Sequence, residues 1–270
     1  MSEFHFGLPP WINYTIDSWT NIDASYPAAN SKEYLNITKQ TRTSDTTGSV
    51  CTIDLEAGYN DLIIGVDHTN FTAIHLEGDD EATFTTPPID YSPTITYNKP
   101  TCWWEAGTLR RRYKYVWKIS GTGIRYLRLT IANQTATNSA AYHFVGRIMI
   151  TNNILSLSQP PDWDITYSPS VAFGTNERST GDIQQYSTSS YKIMEVNMGW
   201  NVIDSSYESD IWTLDNIRPD QQILMWNNMY SDPADFYILQ AQQGGIQMNW
   251  GGPYHRQFSA KTFREVVAND

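Results

Sequence analysis

The chain has 270 residues, two cysteines and a formal net charge of −11, long enough to bury about three quarters of its extended surface without a disulfide framework. A surface of that sign repels phosphate backbones, which excludes nucleic acid as an expected partner. Charged residues make up 17%, whereas Trp and Tyr number 10 and 17, a mixture that points to a β-rich body with polar-aromatic surfaces suited to protein interfaces or glycans.

The N-terminal run MSEFHFGLPPWINYTIDSW has an acidic residue at position 3, no basic stretch and no sustained apolar core. It is read as lacking a signal peptide, so a cytoplasmic start and reduced, buried thiols at Cys51 and Cys102 are expected. The sequons at Asn13, Asn36, Asn70 and Asn133 then report only abundant Asn and Thr. No run reaches the length of a membrane helix, and no membrane insertion is expected.

Period-two alternation recurs at TIDL (52–55), TAIHLEG (72–78) and RRYKYVWKIS (111–120), which predicts strands. His5, His68, His75, His143 and His255 form no short-spaced ligand pair, and His68 and His75 are read as sheet side chains beside a turn. The acidic run Gly78-Asp79-Asp80-Glu81 lacks the DxDxDG spacing of a calcium loop and reads as a solvated turn. In KPTCWWEAG, Trp103 and Trp104 stand between a proline and a glycine. A loop there presents one indole for stacking on a sugar ring or a partner while the other plugs the end of a sandwich, so these two are the candidate ligand-binding residues. Over 110–119, Arg110, Arg112, Lys114 and Lys118 share one strand face, solvated or interfacial, and Arg111, Tyr113, Tyr115, Trp117 and Ile119 share the other.

The stretch RYLRLTIANQTATNSAAYHFVGRIMITNN (125–153) has two alternating arms around a polar span and predicts a hairpin. Leu127, Leu129 and Ile131 form one inward face, and Phe144, Ile148 and Ile150 the other. Gly146 leaves a gap for a neighbouring bulky side chain or marks a bulge. Two adjacent prolines in SLSQPPDWDITYSPS (156–170) suggest an extended connection. Domains are therefore expected over 1–157 and 158–270, and Asp162 and Asp164 are assigned a turn role rather than that of a glycosidase carboxylate pair.

Beyond the connection, GTNERSTGDIQQYSTSS reads as a polar span and YKIMEVNMGWNVI as a strand. In YESDIWTLDNI, Ile211, Leu214 and Ile217 fall at helical spacing, capped by Ser209 or Asp210 and stopped by Arg218-Pro219. QQILMWNNMY, FYILQAQQ and FSAKTFREVV read as further strands. The sequence carries no GxSxG, Walker A or strand-borne GxGxxG, so no catalytic residue, no cofactor and no metal are expected.

GIRYLRLTIANQ followed by YHFVGRIMITN resembles the closing hairpin of galactose-binding-like jelly rolls, in the version found in tail-tip proteins of long-tailed bacteriophages. Gly146 and Arg147 match that family's recurrent Gly-Arg. The order of elements around ILMWNNMYSDPADFYILQAQQ is similar to the C-terminal part of such proteins, so the resemblance runs from about residue 95 onward. It implies a mostly β chain: a jelly-roll β-sandwich over 1–157 and a smaller β-rich domain with one short helix over 158–270. It also implies a non-enzymatic structural subunit of a virion tail tip or baseplate, assembled in the host bacterial cytoplasm, that docks onto copies of itself in a ring and onto other tail proteins. The competing classes are a carbohydrate-binding protein that recognises a host glycan and, further off, a β-sandwich glycosidase.

Overall fold

The computed structural model describes residues 4–32, 39–91, 101–105, 108–157, 165–177, 183–196, 200–202, 205–219, 221–227, 235–242, 245–252, 255–259 and 261–265. The chain packs as two compact units, one built on 5–155 together with 224–237, the other on 156–223 together with 238–269. Both are antiparallel β.

The first unit takes the strands β1 (Phe4–Gly7), β2 (Thr15–Trp19), β3 (Thr41–Arg42), β4 (Ser49–Thr69), β5 (Ile74–Asp79), β6 (Ile89–Tyr91), β7 (Thr101–Glu105), β8 (Thr108–Ile131), β9 (Phe144–Thr151) and β10 (Ile154–Ser156). Two of these exceed the usual length of a strand, 21 residues in β4 and 24 in β8, because each serves two layers. The first half of β4 pairs with the last residues of β8 from Ser49↔Ile131 to Asp54↔Tyr126, and its second half pairs with earlier β8 residues from Asp61↔Ser120 to Thr69↔Tyr113. Register breaks at Asp54/Tyr59 and Tyr59/Asp61 mark the corner where both strands turn, as strands do when they switch sheets. Glu56 and Gly123 have φ of 65° and 66° there, and a Cβ on Gly58 would stand 3.1 Å from the Gly123 carbonyl oxygen.

One layer therefore runs β2, β4 (first half), β8 (last part), β5, β6. The other runs β3, β9, β4 (second half), β8 (first part), with β7 paired onto β8. Between them lies one apolar core. Cys51, Ile53, Leu55, Leu76, Leu127 and Leu129 from the first layer pack with Leu62, Ile64, Val66, Tyr115, Trp117, Ile148 and Ile150 from the second. The Tyr14 hydroxyl donates to the Ile148 carbonyl at 3.0 Å across this core. The alternation in the sequence is thus the cause of the sandwich: each inward face is the odd or even set of its strand.

Every residue of β9 and of 62–69 in β4 is buried, so the second layer is covered on both faces. A Cβ on Gly7 would stand 3.1 Å from the Ile63 Cβ, and one on Gly65 would stand 2.6 Å from a Leu224 methyl; the N-terminal strand and Leu224 lie against that outer face.

The two arms of 125–153 do not form the expected hairpin. The last part of β8 pairs with β4 and β5, whereas β9 pairs with β3 and β4; the polar span between them is an arch from one layer to the other. Alternation records which face is buried, not which strand lies alongside. Leu127, Leu129, Ile131, Ile148 and Ile150 join the core as predicted, but Phe144 packs on His68, ring centroids 5.4 Å apart, and Val145 takes the core position.

The second unit holds β11 (Ile165–Glu177), β12 (Ile183–Val196), β13 (Trp200–Val202), the helix α1 (Ser205–Asp215), β14 (Gln222–Asn227), β15 (Asp235–Ala241), β16 (Met248–Gly252), β17 (His255–Phe258) and β18 (Lys261–Glu265), apart from the residues of β14 and β15 that fall within 224–237. Its sheet runs β15, β18, β12, β11, and β13, β17 and β16 form a smaller one. Of the polar span 174–190, residues 174–177 lie in β11 and 183–190 in β12, which pair antiparallel. Helix α1 buries Ile211 and Leu214, with Ile217 just beyond it, and starts four residues before the expected Ser209 cap. At its C-terminal end Asp215 accepts from the Ile246 backbone N–H at 2.7 Å, and the buried Lys261 ammonium sits 3.4 Å from both the Asp215 carbonyl and its carboxylate, a favourable place for a cation.

Candidate binding site

Three segments that are distant in sequence meet at one end of the first unit. After β2 the chain turns on Asp23, whose carboxylate accepts from the Ser25 N–H at 2.9 Å and whose carbonyl accepts from Tyr26 N–H at 2.9 Å. The turn delivers Tyr26. Arg42, the end of β3, donates its N–H to the Tyr26 carbonyl at 3.3 Å and accepts from Asp23 N–H at 2.9 Å. Tyr142 closes the arch between β8 and β9, its carbonyl accepting from the Asn70 amide at 2.9 Å. As a result the Arg42 guanidinium carbon lies 3.7 Å from the Tyr26 ring centroid and 4.7 Å from that of Tyr142, both inside the range of a cation–π contact. All three residues are partly exposed. Among the described residues no acceptor bonds the guanidinium, and its Nε is buried without a partner.

Amide side chains hold the arch. Asn70 donates to the Asn138 Oδ1 and the Tyr142 carbonyl, both at 2.9 Å, and accepts from Phe144 N–H at 2.9 Å. Gln134 Oε1 accepts from the Thr72 and Ala73 N–H groups at 2.8 and 3.0 Å, and its Nε2 donates to the Ala73 carbonyl at 2.7 Å. His143 N–H donates to the Thr43 hydroxyl at 2.8 Å, and its Nε2 faces the Gln134 carbonyl at 2.9 Å. A carbonyl can only accept, so Nε2 carries the proton, and Nδ1 is a buried nitrogen without a partner. Burial holds the His143 pKa below its ordinary value. Nearby, the exposed Asp45 carboxyl is held below the usual carboxylate range by bonds from the Thr47 hydroxyl and N–H and from Asn21. The site offers two aromatic rings and a planar donor fork on a braced backbone. That is equipment for holding a ligand.

The candidates read from sequence lie elsewhere. Trp103 and Trp104 occupy β7, paired with Arg110 and Leu109, a strand where a loop was expected; their side chains lie outside the described residues, as do those of Cys102 and Arg110 to Arg112, and all of Asp162 and Asp164. Lys114, placed on a solvated or interfacial face, is buried, its ammonium 5.0 Å from the Tyr237 ring. Tyr113, Tyr115, Trp117 and Ile119, which parity puts on one strand face, lie in the core, and on the opposite face Lys114 and Val116 are buried as well. His68 and His75 have separate partners, Gln40 at 3.1 Å and Asp90. Asp79 is buried and accepts from the Asp80 N–H at 2.8 Å, which builds the turn. Cys51 is a buried free thiol with its pKa raised by burial. Asn70, one of the sequons, is fully buried by its bonds.

Gly146 and Arg147, the Gly-Arg pair matched in the resemblance, have structural work. A Cβ on Gly146 would stand 2.7 Å from the His68 Cβ, so the neighbouring side chain fills the gap. Arg147 is fully buried and donates Nε and Nη2 to the Asp67 carboxylate at 3.0 and 2.7 Å. Tyr26, Arg42 and Tyr142 went unread because no motif joins them; the usable signal was only an arginine and a tyrosine at the ends of polar, turn-rich runs.

No family model matches the chain and no curated protein matches it. Among solved structures it is similar to the C-terminal domain of a chitobiase from Bacteroides fragilis, with 13% identity and a TM-score of 0.37 over 54% of this chain and 98% of that one. It is likewise similar to the CBM32 of AlyQ in complex with 4,5-unsaturated mannuronic acid, with 11% identity and a TM-score of 0.32 over 54% and 98%. A third is CBM32-1 from a family 31 glycoside hydrolase of Clostridium perfringens, with 9% identity and a TM-score of 0.34 over 54% and 97%. The chain as described is mostly β, antiparallel, with β-sandwich carbohydrate-binding modules among its structural neighbours, and at this level of likeness no binding residue transfers from them.

Proposed function

We propose that the chain is a non-catalytic binding protein whose ligand is a glycan, held at the Tyr26–Arg42–Tyr142 end of the first unit. The observation that carries the reading is the guanidinium carbon lying 3.7 and 4.7 Å from the centroids of two tyrosine rings, with no described acceptor bonded to the group. Sugar rings present C–H faces for aromatic rings and hydroxyl oxygens for in-plane donors, and the stack supplies both. The carboxylates and histidines described at this end are engaged in building loops, which supports binding without turnover. A glycan array followed by calorimetry tests the reading. Tyr142→Ala is expected to weaken the bound glycan about tenfold, ~1.4 kcal/mol, and a glycan that binds both proteins equally well, or no bound glycan at all, refutes it.

A structural subunit that docks onto copies of itself and onto tail proteins of a phage virion is the second reading. What supports it, beyond the sequence resemblance, is Trp212 of α1, 37% exposed and edge-on to Phe258 at 6.3 Å, an aromatic anchor of the kind interfaces use. Light scattering and electron microscopy separate the two readings. Rings that dissociate on Trp212→Ala, with no glycan bound, favour docking.

A further inference from the structure

We infer that the ligand of this site bears a carboxylate: a uronic acid or another carboxylated sugar whose acid group meets the free edge of Arg42. The inference rests on the glycan reading above and adds the chemical class. It follows from a contrast among the arginines. The chain has 29 acidic residues against 18 Lys and Arg, so carboxylates are in excess and arginines are readily paired. Arg125 donates Nε and Nη2 to the two Asp54 oxygens at 2.9 Å each. Arg128 bonds both Glu77 oxygens, and Arg147 bonds Asp67. Arg42 alone of these four pairs with none of the described carboxylates, although Asp23 and Asp45 belong to the same loops and are bonded to other groups instead.

Its surroundings also define what it can accept. The Tyr26 and Tyr142 rings lie 3.7 and 4.7 Å from the guanidinium carbon, which excludes water from part of it while leaving the charge unneutralised by any described carboxylate. The ring contacts compensate only part of the cost of desolvating a cation. The buried Nε is a further unmet donor. Arg42 is partly exposed, and the terminal edge of a guanidinium, its two Nη groups, is a rigid fork matched to a planar carboxylate through two parallel bonds. A sugar hydroxyl satisfies one of those donors, whereas a carboxylate satisfies two and supplies the missing charge. With the neighbouring backbone already fixed by Asn70 and Gln134, the fork is held in place before the ligand arrives.

The test is calorimetry on the full chain with matched pairs: digalacturonate against digalactose, glucuronate-capped against glucose-capped oligosaccharides, and sialyllactose against lactose. At least one carboxylated member is expected to bind tenfold or more tightly than its neutral twin. Arg42→Gln is expected to erase that preference, weakening the carboxylated twin by far more than the neutral one, and Arg42→Lys to restore it only in part, since an ammonium has the charge but not the fork. Thermal melts of each variant confirm folding; if Arg42→Gln does not fold, the Arg42→Lys comparison decides. Equal binding of neutral and acidic twins, lost on Tyr142→Ala, overturns the carboxylate inference and leaves the glycan reading standing. Failure of every sugar to bind overturns both. A sulfated sugar that outcompetes its carboxylated counterpart overturns the choice of acid.

Discussion

Replacing Gly146 by alanine puts one carbon where the structure has least room for it. The new Cβ would lie 2.7 Å from the Cβ of His68, about 1 Å short of a comfortable carbon–carbon contact. His68 cannot swing aside, because the clash is with the first carbon of its side chain. Its backbone is fixed at φ 61° between Asp67, paired to Arg147, and Thr69, paired to Val145, and its ring is bonded to Gln40 and packed on Phe144. Two hydrogen-bonded strands must therefore separate, and overpacking of this kind costs about 1–3 kcal/mol. In a unit of this size that lowers Tm by about 2–4 °C per kcal/mol. The sharper assay is a double-mutant cycle in urea with His68→Gly. That change removes the opposing carbon and suits the positive φ, so Gly146→Ala should cost little in its presence and the coupling should exceed about 1 kcal/mol. A cost for Gly146→Ala below about 0.5 kcal/mol, or strictly additive variants, would refute the argument that His68 is why position 146 is glycine.

Arg147→Met leaves the buried Asp67 carboxylate without its partner and should cost about 3–5 kcal/mol in denaturant melts; an unchanged midpoint would mean that solvent reaches Asp67. Leu129→Ala should cost about 2–5 kcal/mol, and a loss below about 1 kcal/mol would remove the residue from the core. Burial first, and then the charge of Lys118, bring the His5 pKa down to about 4 against an opposing pull from Asp61, so the folded chain binds this proton less readily than the unfolded one. The resulting stability is whole above about pH 6.5 and is lost as pH falls toward 4. His143 shifts in the same direction. Urea midpoints measured from pH 7 to pH 4 should fall less steeply for His5→Gln; parallel curves would contradict the shift.

The β class, the inward residues of β8 and the buried stripe of the helix were legible because each follows from a local period. Tyr113, Tyr115, Trp117 and Ile119 declare their face within seven residues. What was not legible depends on partners far away in sequence. In β4 the alternation ends at Leu55 and a continuous buried run begins at Leu62, beyond a corner where four residues slip out of register, and nothing local says that this is one strand that has changed layer. Lys114 looked solvated because its own strand is polar on that side; the Tyr237 ring beside it arrives from more than a hundred residues away. The proposed binding site has the same character. Tyr26, Arg42 and Tyr142 share no spacing, and only the closing of β3 onto β9 brings them together.

The amide of Asn70 acts as two donors and one acceptor at once, each matched to a different group of the arch. An aspartate of identical shape would face the Tyr142 carbonyl and the Asn138 Oδ1 with an oxygen in place of an N–H₂, turning two bonds into two repulsions around a buried charge. Conversion of a single amide nitrogen to oxygen, with no change in volume, would thus release the segment that carries Tyr142 while sparing the sandwich beneath it. The Tyr26–Arg42–Tyr142 cluster can be lost by chemical ageing at one atom long before the fold is.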